Sequence, residues 1–587
     1  MWYPTCTILS FLATAPQVLS ESFDFVIIGG GTSGLVVANR LSELNVTVAI
    51  IEAGASVRNN SNVTRVDGFT LAFNTPIDWQ YQSANQSYAD GRTIQYTSGK
   101  ALGGTSTLNV GMTYTRAPAV QIDSWEKVGN PGWNWKNLFP YYLKSENFTY
   151  PTPAQVSAGT SFEPKFHGEN GPLNVGYAYD LINGSLQANV AASWKALGVK
   201  HNRDINGGFM NGYTVAQSTL DREQNVREDA ARAYYYPVEK RRNLKVFLRT
   251  NARRIVWADS DDGAGVTARG VEVLLEDGDL EVIQAKREVI VSAGSLRSPT
   301  ILEHSGIGNK NIMSNYNIHT KVHLPGVGEN LQDQPNNVLL YQGNETYNGT
   351  TPFVAYAPLS SVLPNSPQLN LTETAITLSS ALNNTLPISS LIYLLNIQQD
   401  LITRAEIPNV EIILGNTVTV GFGPSNILST ALWVLLPFSR GNVHIGSPDP
   451  EVYPIINPNF FIVDWDLKVQ VAIAKYARRF WAAQPLGSFV TEMTPGYGVV
   501  GKNATEEEWE KWIKGSFSSN SHPVGTCAMM SRELGGVVDP KLKIYGTSNV
   551  RVVDASIWPY QISGHLTSTL YAVAERAADI IKAESGL

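Results

Sequence analysis

The chain is poor in cysteine: Cys6 and Cys527 are the only two among 587 residues. No disulfide framework holds the fold, so stability must come from a large core. Charge is sparse too. Asp, Glu, Lys and Arg make up 16% of the residues with a net charge of -7, so the chain lacks the basic field that nucleic acid or an anionic membrane requires, and both partners are excluded. No run reaches the roughly 18 consecutive apolar residues of a membrane span. G-x-S-x-G is missing, which excludes the nucleophile elbow of the common esterases. What the chain has is apolar mass, 43% of its residues, over a length greater than one core usually holds. Two domains are expected.

The opening "MWYPTCTILSFLATAPQVLSES" carries an apolar run with small residues near Ser20, and 1–20 reads as a secretory signal cleaved before Glu21. Eleven N-x-S/T sequons, among them Asn59, Asn62, Asn147, Asn344 and Asn503, fit a secreted glycoprotein, with Asn45 expected inside a strand. Next, "FDFVIIGGGTSGLVVANRLSEL" runs strand, glycine turn and helix, and "VTVAIIEAG" follows as a buried strand ending in Glu52. This is a βαβ unit. Gly29, Gly31 and Gly34 take the G-x-G-x-x-G positions: one for the tight turn, one for approach of a pyrophosphate, one for helix packing on the strand. The amides at Thr32 and Ser33 then face the anion, and Glu52, 18 residues past Gly34, is placed to accept a ribose hydroxyl. NAD and FAD both satisfy this pattern.

Residues from about 76 to 225 mix Trp, Tyr, Pro and Asn irregularly. Strand signals return in "LKVFLRTNARRIVW", "ARGVEVLLEDG" and "REVIVSAGS", so the first domain is expected to be discontinuous. A last helix is expected from about 566 to 584. His319 and His323 in "HTKVH" have metal-ligand spacing for a helix, but the segment reads as extended and separates them by roughly 13 Å, so no metal site is expected.

A second glycine-rich stretch, "GKALGGTSTLNVGMTYTRA" (99–117), is more specific. Together with "GSLRSPTILEHSGIG" (294–308), "LPGVGENLQD" (324–333), "HPVGTCAMM" and "VRVVDASIWPYQISGHLTSTLYAVAERAADII", it resembles the glucose-methanol-choline (GMC) family of flavin oxidoreductases over nearly the whole chain. "VDGFTLAFNTPIDWQYQS" and "REDAARAYYYP" look most like the secreted fungal FAD-dependent glucose dehydrogenases. The resemblance implies an α/β fold: a Rossmann-like FAD-binding domain (21–75, 92–130, 230–345 and 530–587) and a substrate-binding domain on an antiparallel sheet flanked by helices (76–91, 131–229 and 346–529). It also implies FAD contacts at Gly99, Gly103, Gly104, Thr105 and Ser106, at Asn109, Gly111 and Met112, and at Ala252 and Ala555. Asp554 would bind the ribityl chain through carboxylate or backbone, and the Leu566 and Thr567 amides would face the ring where charge accumulates on reduction. Val110 is one residue more than the family pattern has, so a local bulge is expected. The loop holds no histidine, which implies dissociable FAD.

By the same resemblance His522 and His565, 43 residues apart, form the catalytic pair. Alcohol oxidation needs an acceptor for the hydroxyl proton while the carbon-bound hydrogen leaves as hydride, and an imidazole suits that task. His522 is assigned as base and His565 as hydrogen-bond partner of the substrate oxygen; the roles are interchangeable at this level. Asn520 points to the same side as His522 and is assigned to a substrate hydroxyl. Glu411 is an acidic residue expected at the substrate. Ser518 stands where the sugar enzymes carry arginine, and Phe69 where tyrosine is expected. The expected substrate is therefore either a sugar such as glucose or a less polar aromatic, furanic or secondary-metabolite alcohol, with oxygen or a quinone as electron acceptor. A flavin-bearing cyclase or lyase without net redox is the remaining alternative. Cys527 is expected to be buried and inert.

Overall fold

Valine, isoleucine and phenylalanine fill Ser22–Ile28 (β1) and Val48–Ile51 (β2), and nearly every side chain there is buried, as strands covered on both faces require. The computed structural model describes residues 21–68, 70–179, 181, 185–259, 265–347, 353–366, 368–416 and 425–587. The expected signal segment and Phe69 lie outside the described residues. β1 and β2 pair in parallel, flanked by Leu244–Phe247 beside β2 and Leu280–Val291 beside β1; Val550–Val552 joins the latter, also in parallel. Ala268–Leu274 and Asn251–Trp257 extend the sheet antiparallel. One sheet is thus assembled from the two ends and the middle of the chain. Asn45 is exposed in the turn before β2 rather than inside a strand, because pairing starts only at Val48.

Thr32–Leu41 (α1) packs on the C-terminal helix Leu566–Glu584. Arg40 joins them: its Nε and Nη2 donate to the buried Glu575 carboxylate at 2.8 and 2.7 Å, and Tyr234 Oη donates to the same group at 3.0 Å. This clamp places the N-terminus of the last helix beside the glycine turn.

The second sheet is antiparallel, in the order Val490–Thr494, Pro335–Tyr347, Ser425–Val434, Val410–Asn416, Phe353–Ala357, Gly212–Val215, with Ser518–Ser519 on the start of Pro335–Tyr347. The division between domains expected at 345 runs through the strand Pro335–Tyr347, which lies in this sheet; the crossing falls before Pro335. Period-two alternation sends Thr430 and Leu432 toward the helix Asp464–Ala482, whose Trp481 donates to Thr430 Oγ1 at 2.6 Å and whose Gln470 accepts from the Val434 amide at 2.9 Å. Ser429, Ala431 and Trp433 face the opposite way, into a cavity between the sheets. No helix among the described residues is long and apolar enough to cross a membrane.

An imidazolium, His444, ties two of the motif segments together. His444 Nδ1 lies 2.7 Å from Glu303 and Nε2 3.2 Å from Glu329. Burial disfavours its charge, but the two carboxylates prevail and push it up to about 10. Because this lies above the free imidazole value of 6.5, the stability carried by the charge is complete below about pH 6.5 and is lost as the pH rises toward 10. Thermal melts should therefore show a falling midpoint across that window. His444→Gln should flatten the fall and cost about 3–5 kcal/mol at neutral pH, since both carboxylates stay buried without their partner.

Candidate active site

The cavity is about 700 Å³, within the range of small-molecule and cofactor sites. Gly29 sits at φ +104° with Ser292 O only 2.4 Å from where a Cβ would stand, so only glycine makes this turn. Gly34 lies under the helix, its Cβ direction 2.1 Å from Gly29 O, and serves packing rather than lining the cavity. α1 opens without a side-chain cap, and Gly31, Thr32 and Ser33 line the cavity, so its free amides are available to an anion. Glu52 also lines it, but both carboxylate oxygens are already braced, Oε2 by the Gly30 amide at 2.9 Å and Oε1 by the Gly54 amide at 2.7 Å. Burial pushes it up to about 7.

The second glycine loop faces the first. A Cβ on Gly104 would stand 2.6 Å from the Gly31 Cα, so the two loops meet backbone to backbone. Gly99, Thr105, Ser106, Asn109, Gly111 and Met112 line the cavity. Gly103 does not: at φ +109° it turns the chain and packs on Thr107 and Asp229, a structural rather than a contact role. Val110 is half exposed, followed by Gly111 at φ +71° and Met112 at φ +52°, so the extra residue is taken up as a left-handed bulge in the wall. Ala252, Ala555, Leu566 and Thr567 line the cavity. The Asp554 carboxylate is fully committed elsewhere, accepting from the Gly294 amide, the Ser298 hydroxyl and the amide and hydroxyl of Ser556. Only its backbone remains for a ligand. The stacked pair Trp79 and Tyr81, which sequence reasoning passed over, also faces the cavity.

Contacts lead from this half to the histidines: Asn109 Nδ2 donates to Thr567 Oγ1 at 3.5 Å, and Thr567 follows His565 at the start of the last helix. The His522 and His565 ring centroids are 5.3 Å apart at an interplanar angle of 83°, both on the cavity wall. Their tautomers follow from their neighbours. Gln334 spends its Nε2 on the Leu435 and Ile562 carbonyls, at 2.8 and 3.3 Å, which turns its Oε1 toward His522 Nδ1 at 2.8 Å. Nδ1 then carries the proton and Nε2 is bare. Burial and the neighbouring His565 hold His522 well below the usual imidazole value, so it stays neutral. Its backbone is fixed by Asp333 Oδ1, which accepts from the amide at 3.0 Å, and by Gln561, which donates to the carbonyl at 2.8 Å.

His565 Nε2 meets Glu411 Oε1 at 2.9 Å, and the same oxygen accepts from Tyr356 Oη at 2.7 Å. Glu411 is fully buried and does not line the cavity, so the assignment to substrate binding is corrected: it orients His565. Asn520 lines the cavity with its amide nitrogen 3.0 Å from His522 Nδ1 and 3.3 Å from Gln334 Oε1. Ser518 is exposed at the rim, near Asn336. Trp433, Ile413, Ala431 and Val338 line the cavity along with the polar Asn336, Ser429 and Ser519, and Trp433 stands edge-on to His565 at 5.9 Å. Gln334 and Tyr356 escaped sequence reasoning. The only local signal was that Gln334 directly follows the motif ending at Asp333.

His323 ends the short strand Val322–His323 and accepts from the Lys310 amide at 3.4 Å. Among the described residues no group of three or more His, Cys, Asp or Glu is arranged to hold a metal ion. Cys527 is fully buried and its thiol pushed up by burial, in keeping with an inert packing residue.

A dinucleotide-shaped glycine cradle leading to paired imidazoles defines a flavin oxidoreductase site, and the chain belongs to the GMC oxidoreductase family: the N-terminal family model matches residues 23–336 and the C-terminal one 437–574. Among its relatives is a glucose oxidase-like protein, fsoC, of Humicola fuscoatra, 45% identical over 96% of each chain. A glucose oxidase of Aspergillus carbonarius is 34% identical over 98% of this chain and 94% of its own. A solved FAD-dependent oxidoreductase from Chaetomium thermophilum superposes with a TM-score of 0.86 at 28% identity, covering 96% of this chain and all of that one. A fungal aryl-alcohol oxidase does so with 0.82 at 25%, covering 97% and all. FAD is the cofactor that this membership implies, and the uncapped helix N-termini and facing glycines fit it.

Two outcomes follow from this geometry. Gly104→Ala should yield folded protein without visible flavin absorbance, because the new methyl group lies inside the contact with Gly31. Glu411→Gln should retain flavin yet reduce it with substrate about tenfold more slowly in stopped flow, through loss of the carboxylate that orients His565.

Proposed function

We propose that the protein oxidises an alcohol at its carbinol carbon, using dissociable FAD, and that its substrate has an apolar skeleton rather than a sugar ring. The observation that carries the reaction type is the pair of imidazoles 5.3 Å apart on the wall of a cavity whose remainder is a nucleotide cradle. FAD, when bound, supplies the acceptor for the hydride. His522, neutral with Nε2 bare, takes the hydroxyl proton. Held through Nε2 by Glu411, His565 stands on the cavity wall beside His522 and positions the substrate hydroxyl against that base. Gln334, accepting from Nδ1, keeps the base in its working tautomer.

The wall supports the substrate class. Trp433, Ile413, Ala431 and Val338 offer no charge, and Ser518 is a short hydroxyl at the rim where sugar enzymes are expected to reach in with arginine. The polar side chains on the same wall, Asn336, Asn520 and Ser519, are already engaged with Asn520, Gln334 and Asp333, which leaves fewer free donors for a ring of hydroxyls. The aryl-alcohol oxidase neighbour agrees with this reading, whereas the relatives named glucose oxidases favour glucose, the second reading. Dissociable flavin is supported by the lack of histidine between 99 and 117. The reduced enzyme passes its electrons to oxygen or a quinone. Exposed sequon asparagines at Asn45, Asn59, Asn344 and Asn503 support a secreted glycoprotein.

Anaerobic mixing with a panel of sugars and benzylic or furanic alcohols tests the proposal. Flavin should bleach fastest with the aromatic alcohols; bleaching by glucose alone would transfer the assignment to the sugar. His522→Ala should slow bleaching by about 10²–10⁴-fold with FAD still bound, and an unchanged rate would remove this residue from the mechanism. Since the base must be neutral and its ionisation lies well below 6.5, kcat/KM should stay level from neutral pH to below that value and fall only in stronger acid.

A further inference from the structure

Arg227, at the end of the short strand Val226–Arg227, is 1% exposed, and the charge that acts on it is Asp229, through space rather than by a bond. The Asp229 Oδ1 is occupied in capping the helix Ala230–Tyr234, accepting from the Ala231 and Arg232 amides. Arg227 donates from Nε to the Val63 carbonyl at 3.0 Å, and from Nη1 to the Ser106 and Asn109 carbonyls at 3.2 and 2.9 Å and to Asn109 Oδ1. Its Nη2 is buried without a hydrogen bond. A buried guanidinium without a bonded carboxylate costs stability, and here it lies directly behind the bulged loop that lines the cofactor cavity.

The contact also fixes an orientation. With Oδ1 of Asn109 taken by the cation, Nδ2 is turned toward Thr567 Oγ1 and the cavity, so Asn109 presents a donor there, polarised by the charge behind it. We infer that Arg227 is a positioning residue for the cofactor: it fixes Asn109 as a donor and lends positive charge to the cavity between Asn109 and the last helix, favouring a ring that gains negative charge on reduction. The C-terminal helix N-terminus adds to the same field from the other side of Thr567. This rests on the reading of the cavity as a flavin site.

The test is the ratio of reduced to oxidised flavin at equilibrium with a reference dye, measured anaerobically on holoenzyme. Arg227→Met should lower that ratio at least tenfold at fixed dye potential, about 30 mV for a two-electron couple, with FAD still bound. Arg227→Lys, which keeps the charge, should recover most of it. An unchanged ratio in Arg227→Met, or an equal fall in both variants, overturns the inference, since a merely structural arginine would move flavin content or melting rather than potential. Should neither variant fold, Asn109→Ala decides, because it leaves the guanidinium on its three backbone carbonyls and removes only the side chain between it and the cavity. The ratio should then fall at least threefold, and no change overturns the inference. Wild-type protein that takes up no added FAD would instead defeat the flavin reading of the cavity, a failure distinct from any in Arg227.

Discussion

Two helices, α1 and the C-terminal helix, begin without side-chain caps and open onto one cavity, and most of the structure serves to hold those two ends in place. Free amides at a helix start are costly when shielded from water and from any partner. They are tolerable here because a ligand rich in acceptors completes them. Arg40 and Glu575 lock the helices side by side, and the meeting of Gly31 with Gly104 brings the second loop against the first. A side chain at Gly104 would force the loops apart, its Cβ falling 2.6 Å from the Gly31 Cα.

The same antiparallel sheet serves two purposes through its alternation. Residues pointing one way, such as Thr430 and Leu432, are covered by the long helix Asp464–Ala482. Those pointing the other way meet the histidines. Directly paired positions across four strands, Asn336, Trp433, Glu411 and Tyr356, fall on that second face, so register alone delivers the carboxylate under His565 and the indole beside it. A one-residue slip would send Glu411 into the packed side. Catalytic geometry here is a property of strand pairing as much as of side-chain identity.

Much of this was legible in the sequence, and the division has a physical basis. Gly29 and Gly104 mark left-handed backbone that few other residues adopt, and Gly34 a helix–strand contact too close for a Cβ, and motifs of that kind survive reading without coordinates. His522 and His565 were reached through resemblance, and the structure brings them together. The roles of Gln334, Tyr356 and Arg227 depend on partners far away in sequence, which no local pattern encodes. Glu411 was recognised as important but placed against substrate, because its burial follows from sheet register. For Asp554 the sequence leaves carboxylate and backbone both open as ligand contacts; the carboxylate's partners Ser298 and Gly294, which decide between them, lie more than two hundred residues earlier. The domain division at 345 missed the strand Pro335–Tyr347 because a polar, asparagine-rich run conceals its buried alternate positions.

The clamp between Arg40 and Glu575 has a bearing on how the two halves of the cavity are coupled. It ties α1, which opens onto the glycine cradle, to a helix 535 residues away in sequence whose first turn follows His565. Loosening that one ion pair therefore slackens the cradle and the imidazole wall together.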